Sequence, residues 1–275
     1  MKKQDVLITV LSDTHSGGTT ALFPNYKMEF GKDKNRNHTP NSKQLKMYDL
    51  FLMAAQYAKA NKTGKMVLVH NGDAIEGIHH QSIEIVSPVW DDHVEIHKEL
   101  MGTFLQKSGF TRNKGDRLYY TIGTESHTAN KEEKIADELN ADGIFQHVEI
   151  DVNGRLVWFL HHGPAKGKGA NEGNTLRNFL KDIYWSCKKN NVRPPDVVFT
   201  GHTHTPCYNT YVFDFHTIHG IICPSFQSKT RYAYGVAPVE RNEIGASFLK
   251  ITADGLITTP FILKETSELV DRVTV

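Results

Sequence analysis

Five short apolar runs in this chain each end in a small polar cluster carrying Asp, His or Glu, and that recurrence restricts the fold more than any other feature. Residues 6–12 (VLITVLS) read as a buried strand, apolar and β-branched, and run into Asp13-Thr14-His15-Ser16-Gly17-Gly18. Lys65–Val69 runs into His70-Asn71-Gly72-Asp73, and Leu118–Ile122 into Gly123-Thr124-Glu125-Ser126-His127. Leu156–Leu160 runs into His161-His162-Gly163, and Asp196–Thr200 into Gly201-His202-Thr203-His204. Between them lie helical patterns. Leu45, Tyr48, Leu52 and Ala55 predict a helix over about 43–60, and Trp90, Val94, His97, Met101 and Phe104 one over about 90–107. Asp91 and Asp92 suit the positive N-terminal end of the latter. A short helix follows near 131–140, and Leu176, Phe179, Leu180, Ile183, Tyr184 and Cys187 mark another, which Pro194-Pro195 prevents from continuing. Residues 208–263 are rich in β-branched and aromatic residues with turn signals such as Asp254-Gly255, and read as several antiparallel strands. Strand–helix alternation followed by strands predicts an α/β domain whose sheet is extended by antiparallel strands. Ligands bind outside the carboxyl ends of strands in such sheets, so five polar ends can converge on one point.

The 275 residues read as a single domain over 1–275, large enough to bury a core without staples. Residues 24–44 are polar and show no apolar period, which predicts a structureless insertion or lid. With 32 Lys and Arg against 31 Asp and Glu, a strongly basic domain is excluded, although a local basic patch is not. No apolar stretch is long enough to span a bilayer, and nothing near the N-terminus reads as a signal sequence, so the expected location is cytoplasmic. Three Cys without CxxC spacing argue against a disulfide scaffold or a thiolate zinc site. His is the unusual residue, with 15 in all, many in short polar clusters.

The clustered residues are Asp13, His15, Asp73, Glu125, His127, His161, His162, His202 and His204. Imidazole and carboxylate without thiolate suit manganese, iron, zinc or nickel. Nine groups exceed what one tetrahedral ion needs and are enough for two ions sharing a carboxylate. Side-chain alternation in an extended segment would put Asp13 and His15 on one side, and likewise His202 and His204. The same alternation would point His161 and His162 opposite ways. Gly72 and Gly201, each before a candidate ligand, would let the backbone turn sharply. Taken singly each fragment is weak, since a solvated loop, an ordinary strand-end histidine or a helix cap explains it. Together, in order and all at strand ends, they point to a metal site.

In these motifs the sequence resembles the calcineurin-like metallophosphoesterase superfamily, whose ordered signature is D-x-H, G-D, G-N-H-[DE], a strand-end H, and G-H-x-H. Here they stand as Asp13-Thr14-His15, Gly72-Asp73, a variant Gly123-Thr124-Glu125-Ser126-His127, His161-His162 and Gly201-His202-Thr203-His204, spanning residues 13–204. The G-T-E-x-H third motif is similar to that of phage-encoded members. The resemblance implies a four-layer α/β sandwich of two mixed β-sheets flanked by helices, with a dinuclear centre between loops. It implies that Asp13, His15 and His204 hold one metal, that Asp73 bridges, and that His162 and His202 hold the second. His162 is preferred over His161 because Gly163 follows it, as Gly commonly follows the family's strand-end His. The family's Asn has no counterpart. Thr124 stands in its place, and Glu125 is the better donor because a carboxylate binds a hard cation more strongly than a hydroxyl. The family's His corresponds to His127, two residues later than usual.

The implied function is a metal-dependent phosphoric ester hydrolase (phosphatase, phosphodiesterase or nuclease), with two divalent ions, manganese first and iron, zinc or nickel as alternatives. A metal-bound hydroxide would attack phosphorus, and His127 would protonate the leaving alkoxide. Lys166 and Lys168 in the Gly-rich loop after the fourth motif, and Arg231 near Lys229 and Tyr234, are candidates for gripping a nucleotide or nucleic acid. A solvated Lys-rich loop is the plain alternative. The rival function is a catalytically degenerate relative that binds nucleic acid or protein, supported by the altered third motif alone.

Overall fold

The computed structural model describes residues 3–78, 83–129, 131–236 and 242–266. The first half of the chain carries β1 (Val6–Leu11), β2 (Met28–Phe30), β3 (Arg36–His38), α1 (Ser42–Asn61), β4 (Lys65–Asn71), α2 (Trp90–Lys107), β5 (Arg117–Thr121), α3 (Glu125–Thr128) and α4 (Lys131–Glu138). There follow β6 (Gly143–Phe145), β7 (His147–Val152), β8 (Arg155–Leu160), α5 (Asn174–Lys189), β9 (Val197–Thr200), β10 (Cys207–Phe213), β11 (His216–Ile222), α6 (Arg231–Val236), β12 (Glu243–Ile251) and β13 (Phe261–Thr266).

Every residue of β1 is buried, which fits its unbroken apolar run and central place in a sheet covered on both faces. That sheet has six strands in the order β13-β12-β1-β4-β5-β6, parallel from β1 to β6 and antiparallel at β12 and β13. A second sheet has five strands in the order β10-β11-β9-β8-β7, with β11, β9 and β8 parallel and both edges antiparallel. Alternation divides each strand between two cores. Leu7 and Leu11 of β1 face helices α1 and α2, among Phe51, Leu100 and Phe104. Val6, Ile8 and Val10 face the other sheet, where Val157, Phe159, Val197 and Phe199 meet them. On the far side of that second sheet, Val198, Ile218 and Ile222 pack on Leu176, Leu180 and Tyr184 of α5. The layers are therefore helix, sheet, sheet, helix: the four-layer sandwich of two mixed sheets that the resemblance implies.

The stretch 24–44 is not structureless. Its middle forms the β2–β3 hairpin, in which Phe30 is buried and Arg36 donates to both Asp92 carboxylate oxygens, at 2.8 and 3.0 Å. Asn41 then caps α1 through a reciprocal box with Gln44. Strands β6 and β7 and helices α3 and α6 are not evident in the sequence pattern. All three cysteines are free thiols. Among the described residues no helix is long and apolar enough to cross a membrane.

Candidate metal centre

The C-terminal ends of β1, β4 and β5 in one sheet and of β8 and β9 in the other meet at one place. Asn71 fastens them: its Nδ2 donates to Leu160 O at 3.0 Å, its Oδ1 accepts from Thr121 Oγ1 at 3.0 Å, and its carbonyl accepts from His161 Nδ1 at 2.9 Å. The loops there are not extended. Asp13, His15, Asp73, His202 and His204 have left-handed backbones, with φ of 52°, 42°, 50°, 68° and 54°. The alternation argument for Asp13 and His15 is thus replaced by another device: left-handed residues on either side of Thr14 aim both at the site. Thr14 itself turns to Ala74 O and His70 Nε2, each at 2.9 Å. Such conformations cost about 1 kcal/mol or more each and persist where the surroundings dictate them. Here Asp13 N–H donates to Gly72 O and His15 N–H to Asp73 O, both at 3.0 Å, while His202 N–H donates to the Asp13 carboxylate at 3.0 Å. Gly72, at φ +81°, does need its freedom, and a Cβ there would also strike the His161 ring. Gly201 serves close approach instead, since a Cβ would meet Ser12 and Asp13.

Two groups of donors result. In the first, His15 Nε2 lies 3.2 Å from His204 Nε2, and His204 Nε2 lies 3.3 Å from Asp13 Oδ1. In the second, His161, His162 and His202 bring ring nitrogens within 4.8 Å of one another. Asp73 lies between the groups, with Oδ2 3.9 Å from His15 Nε2 and 3.1 Å from His161 Nε2. His161 and His162 both belong to the second group. The expectation that they point opposite ways does not hold, because β8 ends at Leu160 and the alternation ends with it.

In the third motif Thr124, not Glu125, touches the donors. Its N–H donates to Asp73 Oδ1 at 2.6 Å and its hydroxyl to Asp73 Oδ2 at 3.2 Å, with His161 Nε2 and His202 Nδ1 each 3.4 Å from that hydroxyl. Glu125 opens α3 with an exposed side chain and is not among the converging groups. His127 is among them: its ring lies edge-on to His15 at 4.8 Å, and it shares a donor group with His15 and Asp73. Its Nδ1 faces Glu76 O at 3.1 Å. A carbonyl only accepts, so that nitrogen carries the hydrogen and Nε2 is left for exchange.

Burial alone would push the Asp13 and Asp73 carboxyls up. His204 beside Asp13, and His161 and His15 beside Asp73, outweigh it and hold both below the usual carboxylate range. Burial would likewise lower His15 and His161. The Glu76 hydrogen bond and the Asp73 and Asp13 charges raise His15 to about 9, and Asp73 and Asp13 raise His161 to about 10. Burial and the charge on His161 lower His202 and His162. Two carboxylates buried this closely, with ring nitrogens facing each other across 3.2 Å, form a site that needs positive charge at its centre. In the metal-free protein imidazolium protons supply it. The N and O donor set fits divalent cations.

Three buried residues outside the expected set support the donors. Glu76 accepts from Gln227 Nε2 at 2.7 Å and faces His15 Nδ1 at 3.0 Å, an orienting carboxylate of the kind that fixes metal-binding imidazoles. Glu132 accepts from Ala74 N–H at 3.0 Å and Gly123 N–H at 2.7 Å, tying the loop of Asp73 to that of Thr124. Asn71 is the third. Only Asn71 had a sequence signal, through its place in a strand-end cluster. Of the basic candidates, Lys166 pairs with Glu172 at 3.6 Å, Lys168 is exposed in the loop before α5, and exposed Arg231 opens α6 with its N–H on Glu84 at 3.0 Å. The site residues named from sequence therefore divide. Asp13, His15, Asp73, His127, His162, His202 and His204 converge, and Glu125 does not. No hydrogen bond or ion pair joins Lys166 or Arg231 to the donors.

No family model and no curated protein matches the sequence. Solved structures similar to the chain include an archaeal phosphodiesterase at 11% identity, covering 93% of this chain and 99% of that one, with a TM-score of 0.42. A predicted phosphoesterase from Streptococcus pneumoniae is 12% identical over 96% of this chain and 99% of its own, with a TM-score of 0.32. The sulfate thiohydrolase SoxB from Thermus thermophilus, in complex with glycerol, is 9% identical over 96% of this chain and 57% of its own, with a TM-score of 0.39. The metallophosphoesterase resemblance of this chain rests on its own motifs and on their meeting at one point.

Proposed function

We propose that this chain is a metal-dependent phosphoesterase, acting through two divalent cations on a phosphate mono- or diester of a nucleotide or nucleic acid. The observation that carries the reading is the Asp73 carboxylate between two groups of imidazoles, 3.9 Å from His15 and 3.1 Å from His161. Asp13, His15 and His204 would hold one cation, His161 and His202 the other, and Asp73 would serve both. Bound there, such cations supply Lewis acidity toward a phosphoryl group and lower the pKa of water toward neutrality. Manganese is the first candidate, with iron, zinc and nickel compatible with the same donors.

The protein's own part is orientation and proton movement. Glu76 does both through one residue, since its carboxylate faces His15 and its carbonyl accepts from His127. With Nδ1 committed, His127 delivers a proton from Nε2 to the leaving alkoxide, a role worth about 10²–10⁴ in rate. Lys166, Lys168 and Arg231 contribute positive charge for a substrate longer than one phosphate.

Elemental analysis of the purified protein, with hydrolysis of p-nitrophenyl phosphate and bis-p-nitrophenyl phosphate at increasing manganese, tests the reading. About two metals per chain and metal-dependent turnover are expected. No bound metal and no metal-dependent turnover would overturn it. A panel of single-stranded DNA, duplex DNA, RNA and cyclic nucleotides then identifies the ester.

A further inference from the structure

We infer that His162 is a third imidazole donor to the cation position surrounded by Asp73, His161 and His202, so that this position is built from three histidines and one shared carboxylate. The inference rests on the metal-dependent reading above.

Three observations carry it. First, the rings of His161, His162 and His202 contact one another in every pair, with centroids 4.8, 4.7 and 5.4 Å apart, and each offers a nitrogen within 4.8 Å of the others. Adjacent residues rarely face one site from a strand, but the strand ends at Leu160. Second, the other two histidines are already fixed. His161 uses Nδ1 on Asn71 O at 2.9 Å and turns Nε2 to Asp73, while His202 is held by its backbone N–H on Asp13. His162 makes no hydrogen bond or ion pair with the described residues, and its only ring contacts are those two imidazoles. Its nitrogens are therefore uncommitted at the edge of a donor group.

Third, the residue expected to complete this position from the third motif is spoken for. Thr124 directs its N–H to Asp73 Oδ1 and its hydroxyl hydrogen to Asp73 Oδ2, so it holds the carboxylate in place. A neutral hydroxyl is also a poorer donor than an imidazole for a borderline divalent ion. Asp73, His161 and His202 make three strong donors, and His162 makes the fourth that a tetrahedral ion takes.

His162 is exposed, so its removal does not open the core. Cobalt(II) is the probe, because its visible absorption reports coordination. Metal-free wild type, H162A and T124A are titrated with cobalt(II) by calorimetry and visible absorption, with circular dichroism to verify the fold. H162A is expected to weaken one of two binding events by at least about tenfold, the scale on which even neighbouring groups alter metal affinity, and to change the spectrum of that event alone. An H162A isotherm and spectrum equal to wild type, equal weakening of both events, or selective loss in T124A but not in H162A overturns the assignment. Failure of the wild type to bind cobalt at all overturns the metal-dependent reading instead, and that result is distinct from every one of these.

Discussion

Asp73 is where the two groups of donors share one carboxylate. It is almost wholly buried, yet it stays ionised because His161, His15 and Thr124 surround it. Asp73→Asn keeps the shape and removes the charge. We expect it to retain less than two metals per chain after dialysis and to lose turnover by about 10²-fold or more, on the scale of a single catalytic group. Full metal content with full rate would show that Asp73 is not shared. His127→Ala should divide differently, lowering turnover by about 10²–10⁴ with metal content unchanged, since its Nδ1 is tied to Glu76 and its role is a proton; loss of metal would make it a ligand. For Glu125→Ala we expect metal content and rate near wild type, because the side chain is exposed away from the donors; selective loss of one metal would restore the ligand role that its charge suggests. That residue shows where reading a site from sequence stops. Charge favoured Glu125, but α3 begins there, and the turn leaves Thr124 against Asp73. Glu76 and Glu132 left no trace in sequence, because their work is done toward Gln227, Ala74 and Gly123 and is visible only once the loops are folded together.

Elements were legible in proportion to their apolar content. The five strands that end at the site, and helices α1, α2 and α5, bury periodic or continuous apolar faces. Strand β7 (HVEIDV) alternates with charges at a sheet edge, and β6 is three residues long, so neither carries such a signal. The β2–β3 hairpin was missed for the same reason, since much of what holds it is polar. Arg36 fixes it to α2 through Asp92, whose side chain is only 4% exposed while that of Arg36 is 32% exposed. Arg36→Ala would leave a buried carboxylate with Ser87 as its remaining side-chain partner. We expect a loss of about 2 kcal/mol in denaturant unfolding, typical for a hydrogen bond to a charged group, with the metal isotherm unchanged. Stability equal to wild type would show that the pair is exchanged for water at no cost.

At the scale of the whole molecule, two sheets bring their strand ends together around negative charge, and protons and cations compete to neutralise it. In the metal-free protein His15 is raised to about 9 and His161 to about 10. Their ordinary value is about 6.5, so the folded state holds more protons than the unfolded chain from there up to those values. Their contribution to stability is thus fully present below about pH 6.5 and is lost as pH rises through about 9 to 10. Cations reverse the trend. A divalent ion needs the neutral imidazole, so its binding expels these protons and tightens as pH rises over the same window. Since bound metal stabilises the fold in proportion to the logarithm of its saturation, the melting temperatures with and without manganese should diverge from about pH 6 to about pH 9. The metal-free curve should fall, and the gap to the manganese curve should widen. Calorimetry near pH 7 in two buffers of different ionisation enthalpy should give about two protons released when both positions fill. Heats independent of buffer, or melting curves that stay parallel across the range, would mean that His15 and His161 carry no displaceable protons and that the charge at the centre is balanced in some other way.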